Sequence, residues 1–122
     1  MPTILVVDDE LAIAVMLEEF LTDAGYRVVT VGDGREALAR LGEVRPDLLL
    51  CDVMLPGLDG REVCRAVQAD AGSQAIPVVL MSAGYQALEA SDGCHPAAFL
   101  SKPFQVSALL ATIEHVLGVA PR

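Results

Sequence analysis

The 122-residue sequence predicts an α/β domain built on one wholly parallel, five-stranded sheet with helices on both faces. Three observations carry that expectation. Five short apolar runs rich in strand-forming residues alternate strictly with five helix-like stretches, and right-handed crossovers convert such an order into parallel strands. The run 48-LLLC-51 is apolar at every position, as a strand buried on both faces requires. The notable polar groups all follow the carboxyl ends of the runs, where open α/β sheets gather their chemistry.

The first strand is 3-TILVV-7, which leads into 8-DDE-10. From Glu10 to Asp23 the positions Leu11, Val15, Leu17 or Glu18, and Leu21, with Phe20 beside them, recur near helical spacing; Asp9 is the expected cap and Gly25 the stop. The second strand is 27-RVVTV-31. Asp33 then caps a helix with Glu36 as its capping-box partner and Ala37, Leu38 and Leu41 on the inner face. Pro46 separates that helix from the buried third strand, which ends at Asp52, and Pro-Gly and Asp-Gly pairs break the chain before 60-GREVCRAVQAD-70, a helix with Val63, Cys64 and Val67 inward. Pro77 starts the fourth strand, 78-VVLM-81, which ends at Ser82.

A short fourth helix is expected over Tyr85–Ser91, because Asp92-Gly93 and His95-Pro96 interrupt anything longer. The last strand, 97-AAFL-100, delivers Ser101 and Lys102, with Pro103 directly behind. The closing segment 105-QVSALLATIEHVLG-118 is the clearest amphipathic helix, with Val106, Leu109, Leu110, Ile113, Val116 and Leu117 inward and Gly118 as its stop. The length fits one domain over 1–122, with 119-VAPR-122 as a tail or the start of a linker.

Eight basic against 17 acidic residues give a net charge of −9, which argues against non-specific binding to nucleic acid or an anionic membrane. Lys102 is the single lysine. No apolar run approaches the roughly 18 residues of a membrane span and the N-terminus lacks signal-peptide character, so a cytoplasmic location is expected. Cys51, Cys64 and Cys94 are odd in number and lack C-x-x-C spacing, and they read as reduced, packed thiols.

Parallel topology brings Asp8, Asp9, Asp52, Ser82 and Lys102 to one sheet edge. Taken singly, Asp52 reads as a turn residue or cap, Ser82 as a helix cap and Lys102 as a solvated lysine. Together they form an acidic cluster whose mutual repulsion calls for a cation. Mg²⁺ suits oxygen donors of this kind, with Asp9 and Asp52 ligating directly, a backbone carbonyl near Met54 adding a third oxygen and Asp8 holding a coordinated water. The absence of an EF-hand loop disfavours Ca²⁺, and the lack of His and Cys groupings disfavours zinc. Such a site is equipped for phosphoryl transfer to Asp52: Lys102 and the Ser82 hydroxyl pair with phosphoryl oxygens, and the backbone at Val53 and Ala83, with Lys102 and Pro103, completes the cradle.

On 8-DDE-10, 52-DVMLPGLDG-60, 81-MSA-83 and 101-SKPF-104, in that order, the chain resembles the receiver domain of two-component response regulators over essentially its whole length. The resemblance implies a flavodoxin-like (βα)5 three-layer sandwich with strand order 2-1-3-4-5. It implies phosphorylation of Asp52 by a histidine kinase, a phosphotransfer protein or a small phosphodonor, with Asp8 and Asp9 serving Mg²⁺ and Ser82 and Lys102 contacting the phosphoryl group. It also implies a cis bond between Lys102 and Pro103, slow self-dephosphorylation rather than dedicated enzymatic turnover, and Ser82 and Phe99 as a switch. Ala83 leaves the path of that switch open. The surface it alters, formed by the fourth helix, last strand and last helix, is where partners usually bind; a downstream effector or an output domain is the expected partner, and the chain is expected as a monomer or a phosphorylation-dependent homodimer.

The stretch 93-GCHPAAF-99 departs from the family's usual Gly-Ala-Asp-Asp-aromatic exit, and receivers commonly span slightly more residues between hydroxyl and lysine. Met54 and Gly84 offer no side chain to position an attacking water. His95 and His115 are not placed as phosphorelay histidines. The alternatives are a phosphorylation-independent docking domain, an aspartate-nucleophile phosphatase, which would want a second acid where Met54 stands, and a flavin-binding module, whose phosphate Asp8, Asp9 and Glu10 would repel.

Overall fold

The computed structural model describes residues 1–83 and 94–118. In chain order the elements are β1 (Thr3–Val7), α1 (Leu11–Asp23), β2 (Arg27–Val31), α2 (Gly34–Val44), β3 (Leu48–Asp52), α3 (Gly60–Ala69), β4 (Val78–Ser82), β5 (Ala98–Ser101) and α4 (Val106–Leu117). The helix expected over Tyr85–Ser91 and the tail 119–122 lie outside the described residues. All four strand pairings are parallel, in the order β2-β1-β3-β4-β5.

Successive strand residues point to opposite faces, so each apolar run feeds two cores. Leu5, Val7, Leu49, Cys51, Val78 and Leu80 pack with Ala37 of α2 and Val63, Cys64 and Val67 of α3. Ile4, Val6, Leu48, Leu50, Val79 and Met81 pack with Leu17 and Leu21 of α1 and Leu109 and Ile113 of α4. All five residues of β3 are buried, as are all five of β4, which is why both runs lack polar alternation. Asp52 and Ser82 are the last residues of those strands, one position beyond the apolar runs that predict them. Strand β5 begins at Ala98 rather than Ala97.

The helix termini follow local chemistry. Asp33 accepts from the Glu36 amide at 2.7 Å, but the Glu36 carboxylate reaches Gly32 N at 3.4 Å, so the expected box is displaced by one residue. The complete box is at α3, where Asp59 accepts from Arg61 and Glu62 and the Glu62 carboxylate accepts from Asp59 N at 3.1 Å. Gly118 ends α4 at φ +71°, as its position predicts.

Helix α1 departs from expectation. Its buried residues are Ala14, Leu17 and Leu21, whereas Leu11 is 78% exposed and Val15 43%. Glu10, not Asp9, occupies the N-cap position and makes no side-chain cap bond there. The Asp8 carboxylate instead takes the Glu10 amide at 2.9 Å. No helix among the described residues is long and apolar enough to cross a membrane.

Candidate functional site

The carboxyl ends of β1, β3, β4 and β5 meet at one edge of the sheet. Asp8 directly follows β1, and its N–H donates to Val31 O at 3.2 Å, so the sheet ladder fixes its backbone. Asp52 closes β3. Its side chain is almost fully buried, as is that of Asp8, while Asp9 stands exposed beside them. Oxygen atoms of Asp8, Asp9 and Asp52 all lie within 4.8 Å of one another.

Lys102 reaches across from the end of β5. Its Nζ donates to Asp8 Oδ2 and Asp52 Oδ2, both at 3.2 Å, and its own backbone N–H is anchored on Ser82 O at 2.9 Å. Burial raises the pKa of Asp52 above the ordinary carboxylate value, against the pull of Lys102 and of the Met54 amide. Burial alone would lower the pKa of Lys102, yet Asp52 and Asp8 together raise it. The result is a lysine held charged between two buried acids. One ammonium cannot balance three carboxylates, and the cluster of hard oxygen donors fits a Mg²⁺ ion.

The loop after Asp52 folds back onto the strand. Gly60 N donates to Val53 O at 3.0 Å, and a Cβ built on Gly60 would lie 2.3 Å from Asp52 O. On the other side, a Cβ on Gly34 would lie 2.6 Å from Leu58 O. The two glycines therefore let the loop pass between α2 and β3. The sequence reading took Gly60 only as part of a chain break. The signal for its role is the Asp-Gly pair itself, since the Asp59 cap ties the first turn of α3 to the loop.

The expected site residues are distributed as follows. Asp8, Asp9, Asp52 and Lys102 come together directly. The Val53 amide, expected in the cradle, is committed to Met81 O at 2.8 Å in the sheet ladder; the amide aimed at the Asp52 carboxylate is that of Met54, at 3.2 Å. Of the two amides, it is that of Met54 that faces the Asp52 carboxylate in this structure. The Met54 side chain is 72% exposed. Ser82 is buried at the end of β4, where the β4–β5 register pairs it with Ser101. Phe99 is half-buried on the α3 side of the sheet, against the core that contains Leu80. Lys102–Pro103 is cis. Ala83, Lys102, Pro103, Ile13, Met16 and Phe104 line an apolar cavity of about 400 Å³ beside the acids. A second cavity, of about 470 Å³, lies between α2 and the α3–β4 loop and shares no residue with the site. Gly84 lies outside the described residues.

A doubly wound sheet with a lysine-bridged acidic cluster at its topological edge defines an α/β domain built for oxyanion and metal chemistry. The profile of the response regulator receiver domain matches residues 4–114, and the chain belongs to that family. Among its relatives, the DNA-binding response regulator MtrA of Mycobacterium tuberculosis is 39% identical over 113 residues, covering 91% of this chain and 48% of that protein. The transcriptional regulatory protein AfsQ1 of Streptomyces coelicolor is 40% identical, covering 96% of this chain and 52% of that protein. The chain thus spans about half the length of the curated relatives it matches. Among solved structures, the chemotaxis protein CheY4 of Vibrio cholerae superposes with a TM-score of 0.88 at 33% identity, covering 95% of this chain and 98% of that one. The receiver domain of the Pseudomonas aeruginosa sensor histidine kinase PA1611 gives a TM-score of 0.88 at 28% identity over 96% of this chain and 98% of that one; its structure holds a magnesium ion in the active-site cleft.

Proposed function

We propose that Asp52 is the phosphoacceptor of this receiver domain, charged by a phosphohistidine of a histidine kinase or phosphotransfer protein, or by a small phosphodonor. The observation that carries the reading is Lys102 Nζ, placed 3.2 Å from both Asp8 and Asp52 at the buried strand ends. An Asp52 carboxylate oxygen attacks phosphorus as the bond to the donor's nitrogen or oxygen breaks, which leaves an acyl phosphate. Lys102 opposes protonation of Asp52 before attack and pairs with a phosphoryl oxygen after it. The Met54 amide and the Ser82 hydroxyl donate to further oxygens.

Asp8, Asp9 and Asp52, with the Met54 carbonyl, would hold Mg²⁺, which supplies positive charge opposite the transferring oxygens when bound. The acidic cluster and the magnesium in the PA1611 receiver support this assignment. Ser82 and Phe99 form the switch, one at the end of β4 and the other on neighbouring β5.

The exposed apolar side chain of Met16, on the cavity that Lys102 also lines, and that of Leu11 on the same helix offer the donor a docking face. The relatives named DNA-binding regulators are twice as long, which supports an output domain or a separate effector as the recipient of the signal; the acidic balance makes direct nucleic-acid contact by this domain unfavourable. The domain works in the cytoplasm, where its free thiols and family partners fit.

Intact-mass analysis after incubation with acetyl phosphate tests the reading. A phosphoryl adduct that needs Mg²⁺ and disappears in Asp52→Ala is the expected result. No adduct on a demonstrably folded chain would leave a phosphorylation-independent docking domain.

A further inference from the structure

Two thiols outside the acidic site are brought together by elements distant in sequence. Cys64 lies on the inner face of α3 and Cys94 on the segment entering β5, and both are buried in the same apolar core. After burial, the neighbouring Cys94 thiol is the next influence that holds the Cys64 thiol above its ordinary value. A second contact fixes the same juncture. Gln68, one helical turn beyond Cys64, donates through Nε2 to His95 O at 2.7 Å and accepts from His95 N at 3.0 Å through Oε1. The amide side chain thus clamps the residue next to Cys94 onto α3 at two points. Cys51 is engaged elsewhere, its Sγ donating to Asp52 O at 3.4 Å.

We propose that Cys64 and Cys94 are a redox pair that closes, under peroxide, into a disulfide tying α3 to the segment entering β5. The bookkeeping needs one hydrogen peroxide. The sulfur of Cys94, the less enclosed of the two, attacks one peroxide oxygen; the O–O bond breaks, and sulfenic acid and water result. Cys64 sulfur then displaces the hydroxyl from that sulfenic acid, forming the S–S bond and releasing a second water. Two thiol protons leave as water and two electrons pass to peroxide. Burial pushes the Cys64 thiol up to about 12, so its thiolate is scarce at neutral pH and closure is slow. The Gln68 clamp compensates by holding the two backbones together through the wait. The bond would join α3 to the connection that precedes Phe99, so oxidation would restrain the side of the sheet on which the switch aromatic packs. This inference is independent of Asp52 chemistry.

Peptide mapping of the full chain after peroxide treatment of the native protein tests it. Cleavage after Arg61 and Arg65 isolates Cys64 on 62-EVCR-65, away from both Cys51 and Cys94. The expected product is 62–65 linked to the Cys94 peptide, reversed by dithiothreitol and absent from Cys94→Ser but present in Cys51→Ser. Because the parent chain alone reports the pairing, a variant that does not fold leaves the test intact. Oxygen adducts without a link, a link through Cys51, or unchanged thiols would overturn the proposal.

Discussion

Replacing Gly60 with alanine probes how tightly the acceptor strand is held. The new Cβ would sit 2.3 Å from Asp52 O, 2.8 Å from Val53 Cα and 2.9 Å from Asp52 C, all backbone atoms that cannot rotate away. Relief requires opening the closest contact to at least 3.0 Å, which moves the peptide carrying Asp52. Overpacking of this kind costs about 1–3 kcal/mol, and at ~2 kcal/mol the melting temperature would fall by about 8 °C. A sub-ångström displacement of the attacking carboxylate slows phosphorylation by about 10–100-fold, since misplacement by 1 Å costs ~100-fold. Gly34→Ala squeezes the same loop from the α2 side, 2.6 Å from Leu58 O and 2.7 Å from Val63 Cγ2, and none of its three nearest contacts belongs to Asp52. It should lower stability comparably but slow phosphorylation much less. Thermal melts with the rate of adduct formation from acetyl phosphate give both readouts. An unchanged melting temperature for Gly60→Ala would refute the packing argument, and a destabilised variant with the parent's rate would restrict Gly60 to stability.

Other expectations follow from the same geometry. Gly42 is exposed within α2 with nothing near its missing Cβ, so Gly42→Ala should stabilise by about 0.5–1 kcal/mol in urea denaturation, without changing phosphorylation. Burial raises the Asp52 pKa, and a raised carboxyl contributes stability that is complete below the ordinary value of 3.8 and is lost as pH rises through the folded value. Asp52→Asn should therefore be more stable than the parent at pH 7 in the presence of chelator, with the advantage vanishing below that ordinary value; a less stable variant at pH 7 would contradict this. Lys102→Met leaves Asp8 and Asp52 buried without their cation and should cost roughly 3–5 kcal/mol in chelator. Added Mg²⁺ should recover part of that loss, as a rise in melting temperature larger than the parent shows, while the phosphoryl adduct stays weak.

The parallel sheet was legible because strands buried on both faces leave no polar alternation, and 48-LLLC-51 has none. The convergence of Asp52, Ser82 and Lys102 was legible for a related reason: once the strands are parallel, residues at their carboxyl ends have one place to go. The inner face of α1 holds at Leu17 and Leu21 but not at Leu11 and Val15, because periodicity records which side chains are apolar, not which the core receives. Ala14 is buried and Leu11 is not, so the small residue, not the large one, faces the sheet in the first turn. Asp9 does not cap α1 because the helix starts one residue later than that role needs, with Glu10 in the N-cap position. The Met54 amide was hidden because strand pairing decides which N–H is spent. Val53 still belongs to the ladder, and the first amide released from it is the next one. The Gly60 contact depends on the loop path, which spacing does not encode.

The position of Lys102 explains how one cation can serve both a resting acid pair and a charged product. At rest it divides its hydrogen bonds equally between Asp8 and Asp52. In the proposed reaction the Asp52 charge is not removed but carried outward, from a carboxylate oxygen to the phosphoryl oxygens one bond farther from the strand. Asp8 does not react, so it keeps the ammonium in place while the other half of the bridge transfers to the new oxygens. The backbone bond from Lys102 N to Ser82 O, at 2.9 Å, ties the same residue to the strand end that carries the switch hydroxyl. In the proposed reaction a shift of Lys102 toward the phosphoryl group would pull on β4 and β5 together. On the proposed reaction, the anchoring acid, the transferable half-bridge and the backbone tie would couple chemistry at Asp52 to the face on which Phe99 lies.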